Sequence, residues 1–205
     1  MPHETYARID PSVRKRLSAA AIREFAAHGL ADASLNEILI RARVGKSSFY
    51  YYFADKEDLF ASMIESVYDS VEAQLPPFAF EGNTREGFWD AVEAHQLSVA
   101  AALGGERHGM DLFRALQPLR HSPSPRLAAT FARIGTNLLA VIRVGRARGF
   151  VRDDVGEEIL MRLVEGADAA LDARVLPATE NQLKAHLRLA HDTMRRLLEA
   201  KGDAA

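Results

Sequence analysis

Apolar side chains along this sequence recur at steps of three and four residues, and no stretch alternates apolar and polar side chains as a half-buried strand does. The spacing predicts an all-α fold of about nine helices. The first helix begins at Asp10-Pro11, because Asp can cap free amides and Pro suits the first helical position. Gly29 can end this helix in a left-handed turn. Its apolar stripe comprises Val13, Leu17, Ala20, Ala21 and Phe25.

Two short helices follow, and together they span residues 34–52. Ser34 can cap the first of them, with Glu37 at the spacing of a capping box, and this helix extends to Ala42. The second runs from Gly45 to Tyr52. Helices of about two turns are not stable alone, so we expect both to pack on the longer helices around them.

Six longer segments of helical periodicity make up the rest of the chain, and Asp55 can cap the first of these at Lys56. Their predicted bounds are 56–75, 84–103, 109–117, 125–148, 154–175 and 179–200. Short helices followed by long ones predict a small N-terminal helix-turn-helix head, residues 1–55, and a larger helical bundle, residues 56–205.

Composition narrows the class of protein. Of 205 residues, 48% are hydrophobic and 26% are charged, which is typical of a soluble globular protein. The absence of cysteine excludes disulfides, thiolate catalysis and Cys-rich zinc sites. The N-terminus lacks the basic-then-apolar order of a secretory signal, and no apolar run approaches the roughly 20 residues that span a bilayer. We therefore expect a cytoplasmic protein that does not bind membranes.

The charge distribution is a weak indication of a nucleic-acid partner. Residues 1–56 contain nine Lys or Arg against six Asp or Glu, whereas the whole chain has a formal net charge of -2. A basic head on an acidic body suits a protein that binds DNA.

The two short helices have the form of a DNA reader, because a helix-turn-helix consists of two short helices joined by about three residues. Val44, Phe49, Tyr52 and Phe53 can face inward, and Tyr52 could equally face outward. The outward face of the second helix then carries a cation, hydroxyl donors and flat rings, which suit phosphates and base edges. These outward residues are Lys46, Ser47, Ser48, Tyr50 and Tyr51.

The run from Ser34 to Leu59 resembles the signature of the TetR (tetracycline repressor) family without a gap. The run begins with Ser34 and continues with a short turn and a recognition helix that starts with small residues. It ends with Tyr-x-x-Phe at 50–53 and Lys-Glu-x-Leu at 56–59. The resemblance implies a transcriptional regulator, most often a repressor, that acts as a homodimer on a palindromic double-stranded DNA operator. It also implies that particular residues contact DNA: Ser34, Asn36, Arg43, Lys46, Ser47, Ser48, Tyr50, Tyr51 and Lys56.

Three positions depart from the family pattern. Arg43 occupies the place of the usual turn Gly and would be strained if the turn requires a positive φ. Gly45 replaces Ser at the start of the recognition helix and can cap it only weakly. Leu39 replaces a small Ala, which predicts a wider gap between the two helices.

The last two predicted helices carry apolar residues at the heptad spacing of a packing seam. We expect a four-helix interface between two copies, which would place two recognition helices about 34 Å or a multiple apart. A monomer that buries these residues internally is the alternative. The predicted interface residues are Leu160, Leu163, Ala167, Leu171, Leu183, Leu187, Ala190, Met194 and Leu197.

Polar residues among apolar ones in the middle helices suggest a small-molecule cavity. They equally describe an ordinary core with a hydrogen-bonded His. The family resemblance implies a cavity among these helices, and its apolar lining would favour a hydrophobic or aromatic effector. The candidate ligand-binding residues are Trp89, His95, Gln96, Met110, Phe113, Arg114, Phe131 and Asn137.

Catalysis is the main alternative class of function, and the motifs do not favour it. The seven histidines show no His-Glu-x-x-His or other metal spacing. Gly45-Lys46-Ser47 resembles the end of a phosphate-binding loop, but such a loop needs Gly at position 40, which is Ile40, and a strand before it. We expect no enzyme activity, cofactor or metal. A second alternative is a ligand-binding or scaffolding bundle whose head no longer binds DNA.

Overall fold

The computed structural model describes residues 6, 9–75, 77–106, 108–120, 122–172 and 180–200, with the backbone alone for residues 172, 180, 181 and 183. Within these residues the chain forms ten α-helices, one 3-10 turn at Gln117–Leu119 and an isolated bridge between Val151 and Glu199. The prediction of an all-α fold is confirmed. The helices are α1 Pro11–Asp32, α2 Leu35–Ala42, α3 Lys46–Tyr52, α4 Lys56–Gln74, α5 Arg85–Gly105, α6 Gly109–Leu116, α7 Pro125–Ile134, α8 Thr136–Ala147, α9 Glu157–Asp172 and α10 Glu180–Leu198.

The start and end of α1 follow the sequence signals. The Asp10 carboxylate accepts hydrogen bonds from the amides of Ser12 at 2.8 Å and Val13 at 3.3 Å. Its hydrogen bonds lower the pKa of Asp10 because they stabilise the charged form. Gly29 takes a φ of +68°, so the helical path breaks there as predicted, and the last turn then reaches Asp32.

Two predicted helices differ from those observed. The helix expected at 125–148 is interrupted at Gly135, a residue type that is unfavourable inside a helix, and forms α7 and α8 instead. The helix expected from 154 begins at Glu157, because the Asp154 carboxylate pairs with the guanidinium of Arg152 at 2.6 Å rather than capping the helix. Residues 173–175, where this helix was predicted to end, lie outside the described residues.

The chain divides into two compact units, and the first comprises Met1–Gln74 and Ala102–Ile134. Within it α1 packs on α2, α4 and α6, and α4 packs on α7. The rings of Phe25 and Phe60 meet edge to face in its core, with centroids 5.0 Å apart. The fully buried large side chains of this unit are Leu17, Phe25, Ile38, Phe49, Phe53, Leu59, Phe60, Met63, Leu112 and Leu116.

The second unit comprises Leu75–Ala101 and Gly135–Ala205. Within it α9 packs on α10. Two backbone hydrogen bonds connect the segment before α9 to the end of α10: the amide of Arg152 donates to Leu198 O at 2.8 Å, and the amide of Ala200 donates to Phe150 O at 2.9 Å. Its core consists of Phe78, Phe88, Trp89, Val92, Val141, Ile142, Val151, Leu160, Val164, Met194 and Leu198.

The predicted boundary after residue 55 divides the chain by function and stays a prediction; by packing, α4 belongs to the same unit as α1, α2 and α3. Over the described part of the chain, no single helix is long and apolar enough to span a bilayer. Pro125–Ile134 and Thr136–Ala147 reach that length and apolarity only when they are counted together.

Candidate nucleic-acid interface

Helices α2 and α3 are joined by Arg43, Val44 and Gly45, which is the short connection that a helix-turn-helix requires. Arg43 has φ 54° and ψ 47°, the left-handed conformation, and the amide of Val44 donates to Leu39 O at 3.0 Å. The positive φ at Arg43 confirms the predicted strain, because this conformation costs a residue with a Cβ roughly 1–2 kcal/mol. The turn therefore holds its shape through backbone bonds rather than through glycine.

The start of α2 is capped as predicted on one side only. Ser34 Oγ accepts a hydrogen bond from the amide of Glu37 at 3.3 Å. The second hydrogen bond of a capping box, from the amide of Ser34 to the carboxylate of Glu37, is not formed, because the amide of Ser34 donates to Glu24 Oε1 at 3.0 Å. The Glu37 carboxylate instead lies 3.7 Å from Nε of Arg41. The buried Glu24 thus ties α1 to the first residue of the motif.

The inward side of α3 is aromatic. Phe49 and Phe53 are fully buried, and their rings stack with centroids 5.6 Å apart. The ring of Tyr6 packs on Phe53 at 4.7 Å. Val44 and Tyr52 are half-buried, so the inward face predicted from the sequence is confirmed.

The outward side of α3 exposes every residue that was predicted to project from it. The Tyr50 side chain is 49% exposed and that of Tyr51 is 61% exposed. Each ring leans edge-on against a neighbour, Tyr50 on Phe49 at 5.1 Å and Tyr51 on Tyr52 at 5.3 Å. Lys46, Ser47 and Ser48 are exposed beside them. Cationic, hydroxyl and aromatic groups therefore share one accessible face.

Beside this face lies an open groove of about 570 Å³. Asn36 and Arg43, both predicted to contact DNA, line it, and Ile40 is 70% exposed at its edge. Sequence reasoning missed Ile40, because an apolar residue on a short amphipathic helix is ordinarily assigned to its buried face. The groove is lined by Asn36, Leu39, Ile40, Arg43, Val44, Gly45 and Lys46.

Lys56, predicted to bind phosphate, is engaged inside the protein. Its Nζ donates to Ala31 O at 3.0 Å and to Ala33 O at 2.9 Å. A lysine ammonium has three N–H donors, so one remains for another acceptor. A phosphate contact from Lys56 stays a prediction.

The link from α3 to α4 depends on two aspartates. Asp55 Oδ1 accepts the amide of Asp58 at 2.8 Å, which is the predicted cap, and Asp58 Oδ2 accepts the amide of Ala54 at 3.3 Å. Asp58 is buried, and its Oδ1 accepts Nε of Arg126 at 2.9 Å. No local pattern in the sequence could have found this ion pair, because its two residues are 68 positions apart.

Arg126 is the centre of a half-buried ionic cluster between α4 and α7. Its Nη1 and Nη2 lie 2.6 Å and 2.8 Å from the two carboxylate oxygens of Glu65. Burial acts to raise the pKa of Glu65, but the hydrogen bonds and charge of Arg126, with help from Thr130 and Arg133, outweigh it and hold that pKa below its usual value. Both partners therefore stay charged at neutral pH.

The candidate ligand-binding residues fall in both units. Met110, Phe113, Arg114 and Phe131 are half-buried in the first unit. In the second unit Trp89 is fully buried, and His95, Gln96 and Asn137 are half-buried.

Part of this candidate set in the second unit forms a polar-aromatic cluster. Gln96 Oε1 lies 3.0 Å from Nδ1 of His191, whose ring meets Trp89 edge to face at 6.3 Å. Over the part of the chain that is described, Trp89 Nε1 and His95 Nε2 are enclosed without a hydrogen-bond partner. Burial lowers the pKa of His95, so its ring is neutral at pH 7. Sequence reasoning missed His191.

The candidate dimer residues divide by exposure. Leu160 and Met194 are buried in the core of the second unit and offer no surface to a second copy, so heptad spacing misplaced them. Leu163 is exposed, whereas Ala167, Leu171, Leu187, Ala190 and Leu197 are partly exposed. The side chain of Leu183 lies outside the described residues.

Helices α2 and α3 are short and are joined by a left-handed turn. Helix α3 buries aromatic rings on one side and exposes polar groups on the other. This arrangement defines a helix-turn-helix protein. Residues 17–63 match the model of the bacterial regulatory proteins, tetR family. Over these residues the chain is similar to the TetR family.

Individual proteins are also similar to this chain. The HTH-type transcriptional repressor SCO4008 of Streptomyces coelicolor is 44% identical over 57 residues, which are 27% of this chain and 30% of that protein. The HTH-type transcriptional repressor NicS of Pseudomonas putida is 27% identical over 150 residues, covering 69% of this chain and 67% of NicS. SmeT, the repressor of the Stenotrophomonas maltophilia multidrug efflux pump SmeDEF, shares the fold with a TM-score of 0.64 at 19% identity, covering 92% of this chain and 91% of SmeT.

Proposed function

We propose that this protein is a transcriptional repressor that binds a palindromic DNA operator as a homodimer and is released by a small hydrophobic or aromatic effector. The observation that carries the proposal is the division of α3 into a buried face, centred on Phe49, and an exposed polar-aromatic face. Aromatic rings anchor this two-turn helix while it presents Lys46, Tyr50 and Tyr51 to solvent, which is the arrangement that a DNA-reading helix needs.

The exposed groups suit the two kinds of contact that DNA offers. Lys46, Ser47 and Ser48, at the start of α3, would reach base edges in the major groove. Tyr50 and Tyr51 would donate their hydroxyl hydrogens to phosphate oxygens. The exposed Arg43 guanidinium and the Asn36 amide would extend this contact along the backbone of the operator.

The second copy would dock on α9 and α10. Ile159, Leu163, Gly166 and Ala170 are exposed at helical steps of four, three and four along α9. Leu189 adds an exposed apolar side chain on α10. Exposed apolar and small residues in a row suit close packing of helices, which a two-fold interface would provide.

Effector binding is proposed for the polar-aromatic cluster of the second unit. The enclosed donor at Trp89 Nε1 and the neutral ring of His95 are polar groups in apolar surroundings, which a ligand acceptor or donor would satisfy. Release would follow if the bound state displaces α4 and changes the spacing of the two recognition helices. The effector must then bind the two states unequally, by roughly 1–3 kcal/mol for a typical allosteric coupling.

The DNA-binding proposal is tested by fluorescence anisotropy with a labelled duplex from the region upstream of the protein's own gene. We expect saturable binding that weakens with salt and is poorly competed by unrelated duplex. Lys46→Ala should weaken binding and reduce the salt slope by about 1, whereas Arg143→Ala, at an exposed cation on α8, should change neither. A protein that binds unrelated duplex equally well, or none at all, would be a ligand-binding bundle rather than a repressor.

The effector proposal has its own test. A thermal-shift panel of small hydrophobic and aromatic compounds should contain one that raises the melting temperature and also dissociates the labelled duplex. Trp89→Phe, which keeps an aromatic ring and removes the indole N–H, should reduce that thermal shift. A compound that stabilises the protein without releasing DNA would contradict the proposed mechanism.

A further inference from the structure

Arg126 on α7 uses its whole guanidinium inside the first unit. Its five N–H groups match five hydrogen bonds: Nε to Asp58 Oδ1 at 2.9 Å, Nη1 to Glu65 and Thr130, and Nη2 to Glu65 and Ser62. A planar fork with five donors is specific to arginine, and lysine cannot reproduce it. The side chain is therefore fixed in one geometry.

Asp58 connects Arg126 to the end of the recognition helix, α3, because each of its two carboxylate oxygens accepts a hydrogen bond. While Oδ1 accepts Arg126, Oδ2 accepts the amide of Ala54 at 3.3 Å. Ala54 directly follows Phe53, the C-cap residue of α3, whose own amide donates to Phe49 O at 2.9 Å. One buried carboxylate thus joins a side chain of α7 to the residue that follows α3.

We infer that Arg126 is a positioning residue for α3, acting through Asp58 to set the end of the recognition helix; this rests on the proposed DNA binding only for its functional consequence. If Arg126 leaves, the Asp58 carboxylate loses its counter-charge and turns toward water, which releases the Ala54 amide. A buried charge that loses its partner is strongly destabilising. Asp58 and Glu65 both lose Arg126, but of these two carboxylates it is Asp58 that accepts the amide of Ala54, the residue that follows the C-cap of α3. A displacement of α7 along α4 would reach the DNA-reading helix by the same contacts.

The same two helices supply a matched control. Arg133, two turns further along α7, pairs with Asp69 and Glu72 on α4 and lies over the ring of Tyr68 at 5.7 Å. Both acidic partners lie more than two turns beyond the start of α4, whereas Asp58 lies in its first turn. Arg133→Gln therefore removes an α4–α7 ion pair without touching Asp58.

The test is hydrogen–deuterium exchange on the full-length protein, read on peptides that cover residues 46–54. In Arg126→Gln we expect exchange of these amides to accelerate about tenfold, which corresponds to roughly 1.4 kcal/mol in local opening. Arg126→Lys, which keeps the charge but loses the fork, should give a smaller acceleration in the same peptides. Arg133→Gln should leave them unchanged. Equal acceleration in Arg126→Gln and Arg133→Gln, or equal acceleration in α1 and α3, would overturn the inference.

A double variant separates positioning from general loss of stability. When Asp58→Asn is combined with Arg126→Gln, the uncompensated charge at position 58 is gone while the loss of Arg126 at Glu65 is the same as in the single variant. The amide oxygen of the new side chain at position 58 can still accept the Ala54 amide. We expect α3 exchange to return toward that of the wild-type protein; exchange as fast as in Arg126→Gln alone would contradict the role assigned to Asp58.

Affinity for the upstream duplex is the second measurement. Arg126→Gln should weaken it because the end of α3 is held less firmly in the geometry that reads DNA, and Arg133→Gln should not. If the wild-type protein binds no DNA, the proposed function fails while the exchange result still decides the role of Arg126.

Discussion

The ammonium group of Lys56, the first residue of α4, donates a hydrogen bond at 2.9 Å to the carbonyl oxygen of Ala33, the residue that follows α1. It also donates to Ala31 O at 3.0 Å. Carbonyl groups at the end of a helix have no partner within that helix, and a cation is favourable there. Lys56 therefore holds α1 and α4 together beside the helix-turn-helix.

Lys56→Met should lower the free energy of unfolding by about 1–2 kcal/mol, because two carbonyl groups lose a charged donor while the aliphatic packing is retained. Urea denaturation followed by circular dichroism measures this change. Lys15→Met, at an exposed lysine on α1, is the control and should be close to neutral. Equal stability of the two variants would mean that water replaces the ammonium group without cost.

Local features of the fold could be predicted from the sequence, because each depends on a few neighbouring residues. The cap at Asp10, the left-handed Gly29 and the buried face of α3 all follow from residue type and helical spacing. The left-handed Arg43 is expected only through the resemblance, which places a turn glycine at this position. The contacts of Lys56 and Arg126 could not be predicted. The bonds of Lys56 to α1 and its C-cap, and those of Arg126 to α4, join residues 23 or more positions apart, and the same side chains on a surface would have had the same local pattern.

The dimer residues show a second limit of sequence patterns. Helix α9 has two apolar stripes, one through Leu160 and Val164 and another through Ile159 and Leu163. Heptad spacing cannot tell which stripe packs inside the chain. The structure buries the first and exposes the second.

Arg43→Gly should leave stability unchanged or raise it by up to about 1 kcal/mol, since relief of the left-handed conformation outweighs the added freedom of glycine in the unfolded chain. The same variant should weaken binding of the upstream duplex, because an exposed cation beside α3 is lost. Denaturation and anisotropy measure the two effects separately.

Arg43→Asn is the matched control for that experiment, because asparagine tolerates the left-handed region and carries no charge. Both variants should lose similar affinity and show a similar reduction in salt dependence. A loss confined to Arg43→Gly would point to a change in the turn rather than to the missing charge.

Leu163→Glu should convert the proposed dimer to monomer. The side chain is 44% exposed in the single chain, so the substitution costs little within α9 but places two charges in an apolar interface. Light scattering coupled to size exclusion measures the molar mass. Leu97→Glu, at 41% exposure on α5, is matched in residue type and exposure and should remain dimeric. A dimeric Leu163→Glu protein would remove α9 from the interface.

The ion pair of Glu65 and Arg126 gives stability a defined dependence on pH. The pKa of Glu65 in the folded protein lies below its ordinary value, so the unfolded chain takes up a proton first as the pH falls. The stabilisation is therefore complete above the unfolded-state pKa, about 4.3, and disappears as the pH falls through the lower folded-state pKa.

Glu65→Gln isolates this contribution from those of other carboxylates, because Asp10 and Glu86, whose pKa values are also lowered, remain in both proteins. The wild-type protein should exceed Glu65→Gln in unfolding free energy at about pH 7, and the difference should shrink between about pH 5 and pH 3. Urea midpoints measured across this range test the expectation. A difference that stays constant with pH would mean that Glu65 stabilises α4 and α7 through hydrogen bonds that glutamine supplies equally well, and not through its charge.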